Sequence, residues 1–381
     1  MSTARRTHGF SESVIRGMTR LAREHDAINL AQGFPDFPAP GILKEAAADA
    51  IARDINQYAI TWGSKRLRDI LALRYNEWYG LEVNAETDLT VTCGATEAMA
   101  SAMLALIDPG DEVIVFEPYY ENYGPDAILC GATPVFVPLQ PGEALDLDSL
   151  RAAAGPRTRA IIVNTPGNPS GRVLRRDELE AIADLCRSRD LIAITDEIYE
   201  HIRYEGPHIP IATLPGMRER TVTVSGASKT FSVTGWRVGW IVAPPEFTSA
   251  IRKVHDFLTV GAAAPLQEAV AIALETLGPE YYSGLAESYR ERRDLLAGAL
   301  EAAGFRLTSP EGAYYILTDF SGLSRRGDID FSHWLTREVG VAPVPGSSFY
   351  QTPGGGEQQV RFAFCKTLPM LEQAVERLGK L

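Results

Sequence analysis

Short apolar strands alternate with amphipathic helical patterns between about residue 89 and residue 242, and this alternation limits the possible folds most strongly. The predicted strands are Leu89–Thr92, Glu112–Phe116, Pro134–Val137, Ala160–Asn164, Leu191–Thr195, Thr221–Val224 and Val238–Val242. Helical patterns such as Thr96–Leu106 and Asp177–Arg189 lie between them. Alternation of this kind builds a mostly parallel sheet with helices on both faces. The sequence therefore predicts an α/β fold.

The last third of the chain has a different pattern. A long helix is predicted over Tyr281–Ala303, and Gly304 follows it as a plausible C-cap. Strand patterns at Ala313–Leu317 and Gln359–Phe364 come after this helix. We therefore expect a large domain of residues 41–280 and a smaller α+β domain. The small domain is expected to combine residues 281–381 with residues 1–40, which include an N-terminal arm.

Bulk properties exclude several classes of protein. The net charge is −12, and no basic stripe is visible, so nucleic-acid binding is disfavoured. The four cysteines are scattered without CxxC spacing, which argues against a disulfide scaffold and against a metal site. No run of 18 apolar residues occurs, and Met1–Phe10 has no apolar stretch behind it. We therefore expect neither a membrane span nor a secretory signal, and a cytoplasmic location.

Polar and glycine residues gather directly after the ends of five predicted strands. These segments are Gly94–Thr96, Tyr119–Tyr120, Asn164–Asn168, Asp196–Glu197 and Ser225–Lys229. In a doubly wound sheet, ligands bind at the carboxyl ends of the strands. The sequence therefore predicts one binding site at this edge of the sheet.

Lys229 follows an apolar strand and stands among small residues, in Ser225-Gly226-Ala227-Ser228-Lys229. Desolvation there would lower the pKa of the lysine and give a neutral amine that can attack an aldehyde. Taken alone, a lysine in this context more often extends to solvent. Eight residues later, Arg237 lies in a tight turn, where a guanidinium can hold a phosphate by two parallel hydrogen bonds.

The segment Gly-Ala-Ser-Lys-Thr-Phe-Ser-Val-Thr-Gly-Trp-Arg-Val-Gly, residues 226–239, resembles the cofactor-attachment motif of class-I aminotransferases. Over nearly its full length the chain resembles fold-type-I pyridoxal-phosphate aminotransferases, nearest the branch of kynurenine, glutamine and methionine aminotransferases. The resemblance implies a large, mostly parallel seven-stranded sheet domain with a smaller α+β domain, and pyridoxal phosphate held by Lys229 as a Schiff base. It also implies a homodimer with shared active sites.

The resemblance assigns the remaining cofactor contacts residue by residue. Ala95 and Thr96 start a helix, where backbone N–H groups and the helix dipole can receive the phosphate. Asp196 would lie against the pyridine nitrogen and keep the ring protonated, so that the ring accepts electrons. Tyr199 and Asn168 would contact the phenolate oxygen.

The aromatic and serine contacts leave alternatives open. Tyr120 matches the residue that stacks on the ring, although the adjacent Tyr119 could stack instead. Many relatives have a phosphate-binding serine where this chain has Gly226. Either Ser225 or Ser228 could take over, and we include Ser228. Tyr58 matches a tyrosine that reaches the phosphate from the neighbouring subunit, but it could also be an ordinary surface residue.

The substrate contacts also follow from the resemblance. Arg361 matches the arginine that binds the α-carboxylate of an amino acid. The planar guanidinium suits this role because it can donate two parallel hydrogen bonds to a carboxylate. The backbone of Gly33, and Asn168, would lie against the same carboxylate. Thr96 replaces the lysine of one aspartate-specific subgroup, and no Arg or Lys lies between Asp256 and Pro265. We therefore expect a neutral or aromatic substrate, because a buried second carboxylate would be unpaired. The candidate walls of this pocket are Ile15, Tyr58, Tyr120 and the region of Phe257.

Together these features predict a ping-pong aminotransferase. It would move the amino group of an L-amino acid such as methionine, glutamine, phenylalanine or kynurenine to a 2-oxo acid. Lys229 would serve as covalent anchor and as general acid and base. A cysteine-S-conjugate β-lyase or an aspartate-type aminotransferase on the same scaffold are alternatives, as is a non-catalytic regulator. A nicotinamide dehydrogenase is disfavoured because the chain contains no GxGxxG.

Overall fold

A computed structural model describes residues 3–10 and 12–381, so Met1, Ser2 and Ser11 of the predicted arm lie outside the described residues. The strands are β1 Ile28–Asn29, β2 Leu89–Thr92, β3 Glu112–Glu117, β4 Thr133–Pro138, β5 Thr158–Asn164, β6 Ile192–Asp196, β7 Thr221–Gly226, β8 Gly239–Val242, β9 Arg306–Leu307, β10 Tyr315–Asp319, β11 Val341–Ala342, β12 Val344–Pro345 and β13 Gln359–Ala363. The α-helices are α1 Val14–Glu24, α2 Gly41–Ala52, α3 Lys65–Tyr79, α4 Ala95–Leu106, α5 Tyr123–Leu129, α6 Leu147–Ala153, α7 Arg176–Arg189, α8 Ala227–Thr230, α9 Pro245–Thr259, α10 Ala264–Thr276, α11 Pro279–Ala302, α12 Asp328–Trp334 and α13 Leu368–Leu378.

The large sheet has seven strands in the order β2-β8-β7-β6-β5-β3-β4. Strands β3 to β7 pair in parallel, whereas β8 runs antiparallel to both of its neighbours. The prediction of a mostly parallel seven-stranded sheet is confirmed. Strand order reverses between β3 and β5, which lie side by side. A crevice forms at the carboxyl ends of the strands at such a reversal, and ligands of α/β proteins bind there.

Helices cover both faces of this sheet because successive residues of a strand point to opposite sides. In β3, Val113 and Val115 pack in one apolar cluster with residues of α4, α5 and α9. Ile114 and Phe116 pack in another cluster with residues of α6 and α7. Burial on both faces explains why β3 and β5 are continuous apolar runs in the sequence.

Two smaller sheets lie outside the seven-stranded sheet. Strands β12, β13, β10 and β9 form an antiparallel sheet, and β1 pairs with β11 in parallel. The amide of Leu30 donates to the carbonyl of Ala342 at 3.0 Å, and the amide of Ala363 donates to the carbonyl of Leu30 at 2.7 Å. The N-terminal segment is thereby joined to the last third of the chain. Domain boundaries near residues 41 and 281 stay a prediction.

One predicted strand begins two residues later than expected. The pattern indicated Ala313–Leu317, whereas β10 starts at Tyr315. Ala313 has a φ of 55°, and a Cβ on Gly312 would lie 2.7 Å from a side-chain carbon of Pro166. Left-handed backbone cannot belong to a strand, so the strand begins only after this turn.

No helix among the described residues is both long and apolar enough to cross a lipid bilayer. The expected cytoplasmic location stays a prediction.

Candidate active site

A cavity of about 560 Å³ opens at the carboxyl ends of β3, β5, β6 and β7. The predicted residues that line it are Gly33, Ala95, Thr96, Tyr120, Asn168, Asp196, Tyr199, Ser228, Lys229, Arg237 and Arg361. The loops after the strands and the two small sheets therefore contribute to one site. Tyr58 is not among the lining residues of this chain.

One end of the cavity is shaped for an anion. Gly94 has a φ of 81° and directly precedes α4, whose first two residues, Ala95 and Thr96, line the cavity. The guanidinium of Arg237 lies against Gly94, since a Cβ on Gly94 would be 2.4 Å from Arg237 Nη2. Arg237 itself has a φ of 55°, an uncommon backbone conformation for a residue with a side chain. A helix N-terminus and a guanidinium together suit a phosphate.

The structure distinguishes between the two serines that sequence left open. Ser228 lines the cavity. The hydroxyl of Ser225 instead donates to the buried carboxylate of Glu200 at 2.5 Å and points away from the cavity. A Cβ on Gly226 would lie 2.9 Å from the carbonyl oxygen of Val238, so the backbone of β8 leaves no room for a serine at that position.

Lys229 lines the cavity and is largely buried. Its Nζ donates to the carbonyl oxygen of Gly33 at 3.3 Å. The rings of Tyr199 and Tyr314 lie 5.7 and 5.5 Å from Nζ. Burial lowers the pKa of Lys229 to about 8. A useful fraction of the amine is therefore neutral and nucleophilic close to neutral pH.

Asp196 ends β6 and is held by two hydrogen bonds. The hydroxyl of Tyr123 donates to Oδ2 at 2.7 Å, and the amide of Ile198 donates to Oδ1 at 3.3 Å. Burial raises the pKa of this carboxyl. An oriented, enclosed carboxylate of this kind fits a protonated ring nitrogen as its partner.

Of the two adjacent tyrosines, only Tyr120 lines the cavity. Tyr119 is buried beside it and packs on Phe136, with the ring centroids 5.2 Å apart. Stacking of Tyr120 on the cofactor ring stays a prediction.

The hydroxyl of Tyr199 lies 3.0 Å from that of Tyr315, so the two phenols orient each other.

Arg361 is fully buried on β13 at the other end of the cavity. Its Nη1 donates to Asn168 Oδ1 at 2.7 Å, and its Nη2 donates to the carbonyl of Ala31 at 2.6 Å. The rings of Tyr315 and Phe349 lie 4.3 and 4.9 Å from its central carbon. Among the described residues, its Nε has no hydrogen-bond partner. A buried guanidinium with unused donor capacity suits a carboxylate ligand.

The donor set as a whole fits pyridoxal phosphate. The cavity has an anion-binding end at Gly94 and Arg237, an amine at Lys229 and a carboxylate at Asp196. A Cβ on Gly239 would lie 2.5 Å from the backbone carbon of Gly94, so the anion-binding end depends on two glycines that let strand and helix approach closely. This arrangement provides a partner for each polar part of that cofactor.

Sequence reasoning missed several residues that surround the site. Tyr123 holds Asp196, and Tyr315 contacts both Tyr199 and Arg361. The only sequence signal for Tyr123 was its place three residues after Tyr120. Arg16 and Asp126 also line the cavity. No pattern in the sequence indicates that these two side chains reach the cavity, although Ile15, the neighbour of Arg16 on α1, is a predicted pocket wall.

A buried polar network lies behind the turn after β6. Glu200 accepts hydrogen bonds from Tyr79 and Ser225, both at 2.5 Å. Glu197 lies 2.6 Å from the ring nitrogen of His208 and accepts from Thr195 at 2.8 Å. Glu197 thus makes its contacts outside the cavity. The network ties α3 to the turn that carries Tyr199, which is a structural role that sequence could not reveal.

Two of the predicted pocket walls lie on the surface of the single chain. Tyr58 is 86% exposed and Phe257 is 92% exposed. Ile15 and Tyr120, by contrast, line the cavity.

Comparisons with known proteins agree with this geometry. Residues 25–378 match the family model described as aminotransferase class I and II. The structure of N-succinyldiaminopimelate aminotransferase from Mycobacterium tuberculosis is similar, with 41% identity, complete coverage of both chains and a TM-score of 0.96. The methionine aminotransferase of Escherichia coli is 40% identical over 97% of this chain and 96% of its own. Human kynurenine–oxoglutarate transaminase 1 is 36% identical over 99% of this chain and 97% of its own. The chain therefore belongs to the aminotransferase class I and II family and is a pyridoxal-phosphate-dependent aminotransferase.

Proposed function

We propose that this enzyme moves the amino group of an L-amino acid with a neutral or aromatic side chain to a 2-oxo acid, in a ping-pong cycle. One observation carries the proposal. The largely buried amine of Lys229 lies in a single cavity between the anion-binding end at Arg237 and the buried guanidinium of Arg361.

Different residues of the cavity are expected to contact different parts of the cofactor. Ala95, Thr96, Ser228 and Arg237 would bind its phosphate, and Lys229 would be its covalent anchor. Tyr120 would stack on the ring, while Tyr199 and Asn168 would contact the phenolic oxygen. Asp196 would hold a proton at the ring nitrogen. When bound, pyridoxal phosphate supplies an electron-withdrawing ring that takes up the electron pair left at Cα when its proton departs.

The same cavity binds the substrate and moves its proton. Arg361 binds the α-carboxylate with the donor capacity that remains on its guanidinium, next to the backbone of Gly33. Asn168 orients Arg361 by accepting from Nη1. Once released from its covalent role, the Lys229 amine takes the proton from Cα. The low pKa of Lys229 favours this step, because a neutral amine is needed as the base.

Apolar and aromatic side chains support a neutral or aromatic substrate. Ile15, Phe34, Met99 and Tyr120 line the cavity. The relatives named for methionine and kynurenine also support such a substrate.

Arg16 supports a second candidate, a substrate with a negatively charged group at the far end. The expectation of no second cation rested on Thr96 and on the segment from Asp256 to Pro265. Arg16, an exposed residue of α1, nevertheless lines the cavity. A guanidinium there can pair with a distal carboxylate. An aspartate-type activity, a dicarboxylic 2-oxo acid as acceptor, or a longer acidic donor would all use it.

A panel of amino donors against several 2-oxo acids tests the proposal. We expect transfer from neutral or aromatic donors, a yellow holoenzyme, and cofactor that borohydride fixes to Lys229. Lys229→Ala is expected to abolish turnover and leave the fold intact, and wild-type-like turnover by that variant would contradict the assignment. Release of pyruvate and ammonia from cysteine conjugates without any 2-oxo acid would instead favour the β-lyase.

The Arg16→Gln variant separates the two substrate classes. If Arg16 binds distal carboxylates, the ratio of kcat/KM for 2-oxoglutarate over that for pyruvate falls by roughly tenfold or more, the size expected for loss of a charge-assisted contact. Arg20→Gln is the matched control, since Arg20 lies one turn further along α1 and pairs with Glu12. An unchanged ratio in Arg16→Gln would eliminate this role.

We also propose a homodimer in which Tyr58 completes the partner's site. Exposed apolar side chains lie on two segments, Tyr58 and Ile60 on one, Phe257 and Val260 on the other. The segments are adjacent, because His255 Nε2 lies 2.9 Å from the carbonyl oxygen of Thr61. Exposed apolar groups clustered in this way are typical of an interface.

A further inference from the structure

Lys366 is a buried cation that the reaction described above does not use. It follows β13 and is only 2% exposed. Among the described residues, the lysines in ion pairs are Lys65 and Lys380, so Lys366 has no acidic partner. A lysine is rarely buried without one, because removing an unpaired charge from water costs free energy. The position of Lys366 therefore calls for a functional explanation.

The ammonium group of Lys366 is directed at one turn of the chain. Its Nζ donates to the carbonyl oxygens of Gln32 at 3.3 Å and Phe34 at 2.9 Å, the residues on either side of Gly33. The centroid of the Phe34 ring lies 4.2 Å from Nζ, in the range of a cation–π contact. Gln32, Gly33 and Phe34 all line the cavity. Lys366 therefore holds one wall of the active site.

Gly33, at the centre of this turn, contacts the reactive amine. Its carbonyl oxygen accepts from Lys229 Nζ at 3.3 Å and from the Tyr314 hydroxyl at 2.8 Å. A Cβ on Gly33 would lie 2.0 Å from the hydroxyl oxygen of Tyr315, so this phenol packs directly on the backbone of Gly33. The Gly33 carbonyl lies between the two carbonyls that Lys366 binds. Lys366 thereby fixes the direction in which the Gly33 carbonyl points.

The carbonyls of residues 31–34 each accept a hydrogen bond from a cation. The carbonyl of Ala31 accepts from Arg361 Nη2 at 2.6 Å, and the next three accept from Lys366, Lys229 and again Lys366. In the proposed cycle Lys229 changes its bonding, and Arg361 binds and releases substrate. Lys366 is not one of the described residues that line the cavity. It is therefore the anchor of this segment that stays the same throughout the cycle.

We propose that Lys366 is a positioning residue that acts through Gly33 to orient the amine of Lys229. A neutral amine has two N–H donors and one lone pair. When one N–H donates to the Gly33 carbonyl, rotation about the Cε–Nζ bond is restricted, and the lone pair keeps a fixed direction in the cavity. The inference rests on the proposed function, in which this amine takes the proton from Cα. It adds a residue outside the cavity that supports the base.

The Lys366→Met variant tests the proposal, because methionine keeps most of the length of the side chain and removes its charge and donors. The rate is measured in a single turnover with an amino donor alone, per site that holds cofactor. We expect this rate to fall roughly three- to tenfold, the size of a modest loss of orientation. Lys380→Met is the matched control, since Lys380 is 68% exposed and pairs with Glu376 of α13. Its rate should equal that of the wild type.

An isotope effect identifies the step that is slowed. If Lys366 orients the base, removal of the Cα proton limits the rate in Lys366→Met, and a donor with deuterium at Cα should react more slowly still. A rate equal to that of the wild type, or a slower rate without an isotope effect, overturns the proposal. If Lys366→Met does not fold, Lys366→Gln replaces it with the same expectations, because its amide nitrogen lies one bond closer to the backbone and carries no charge.

A double variant separates this role from a merely structural one. The Tyr314 hydroxyl holds the same carbonyl of Gly33, so Tyr314→Phe should slow the same step. If both residues act through Gly33, the double variant with Lys366→Met is slowed by less than the product of the two single factors. Independent structural effects would multiply, and that result contradicts the inference.

Hydrogen exchange in the cofactor-free protein gives a readout that does not depend on activity. The amides of residues 32–36 should exchange faster in Lys366→Met than in the wild type, whereas those of α7 should be unchanged. Equal exchange in the two proteins would show that Lys366 does not hold the turn. Failure of the proposed function has a different result. If the wild type binds no pyridoxal phosphate or transfers no amino group, the difference in exchange is still present.

Discussion

At the scale of single residues, Asp126 and Lys229 show how burial changes a titrating group in opposite directions. Burial disfavours the charged form of each, so the pKa of the carboxyl rises and that of the amine falls. For Lys229 the result is a reactive amine. For Asp126 the result is a carboxyl that costs stability once it ionises, because the unfolded chain ionises it freely.

The sign of this effect gives a prediction for stability. The pKa of Asp126 is higher in the folded protein than in the unfolded chain, where it is about 4. The free energy of unfolding therefore falls as pH rises from about 4 to about 7, and then stays constant. The loss attributable to Asp126 is on the order of 3–4 kcal/mol, at 1.36 kcal/mol for each pKa unit.

Urea unfolding of the wild type and of Asp126→Asn across this pH range measures that loss. The difference in stability between the two proteins should change in favour of the variant as pH rises to 7. A difference that does not vary with pH would mean that Asp126 is as accessible to solvent in the folded protein as in the unfolded chain.

At the scale of elements, the anion-binding end depends on how closely β8 approaches the start of α4. Gly94 and Gly239 both lie where a Cβ would overlap the neighbouring element. At Gly94 the overlapping group is the end of the flexible Arg237 side chain, which can move aside. At Gly239 it is backbone, which cannot. Substitution at Gly94 therefore displaces the guanidinium without preventing the sheet from forming.

We expect Gly94→Ala to weaken binding of pyridoxal phosphate by roughly tenfold or more, the size of a lost charge-assisted contact. Gly110→Ala is the matched control. Gly110 also has a positive φ, of 97°, but a Cβ there would meet nothing within 4 Å. Both variants should lose about 1 kcal/mol of stability from backbone strain. Only Gly94→Ala should lose affinity in a titration with the cofactor, and equal affinities would show that Arg237 does not bind the phosphate.

At the scale of the whole molecule, the proposed dimer can be tested by mixing two defective subunits. Lys229→Ala lacks the cofactor anchor, and Tyr58→Ala lacks the contact that we expect to reach the partner. In a mixed dimer, the Lys229→Ala subunit supplies Tyr58 to the intact Lys229 site of the other subunit. One complete site is thereby restored.

When equal amounts of the two variants reassociate at random, half of the dimers are mixed, and each mixed dimer has one complete site out of two. We therefore expect about a quarter of the wild-type activity at limiting cofactor. Each variant alone should be inactive or weak under the same conditions. Activity of the mixture equal to the average of the two separate variants would show that Tyr58 does not cross to a partner. Sedimentation of the wild type gives the oligomeric state independently.

The local parts of the fold and of the site could be predicted from sequence. The strands of the large sheet were visible as short apolar runs because burial on both faces removes polar residues from them. Lys229 and Arg237 lie in one continuous segment, and its resemblance to the attachment motif of class-I aminotransferases indicated the site. Asp196 ends β6, and Ala95 and Thr96 begin α4 shortly after β2 ends.

The sequence by itself determined the features that depend on short stretches of the chain. These are the strands of the large sheet, the edge of the sheet where the site lies, and the segment that contains Lys229. Only the tertiary structure decided which serine faces the cavity, that Tyr123 holds Asp196, and that Arg16 and Asp126 reach the site. These choices depend on packing between elements that are distant in sequence, such as α5 against β6 and Tyr79 against Glu200, 121 positions apart. The periodicity of apolar residues within one element does not indicate where another element packs against it. The physical reason is that burial of one face leaves a periodic pattern of apolar residues within an element, and this pattern predicts the element. The residues that pack against that face belong to other elements, and their positions are set only by the tertiary structure.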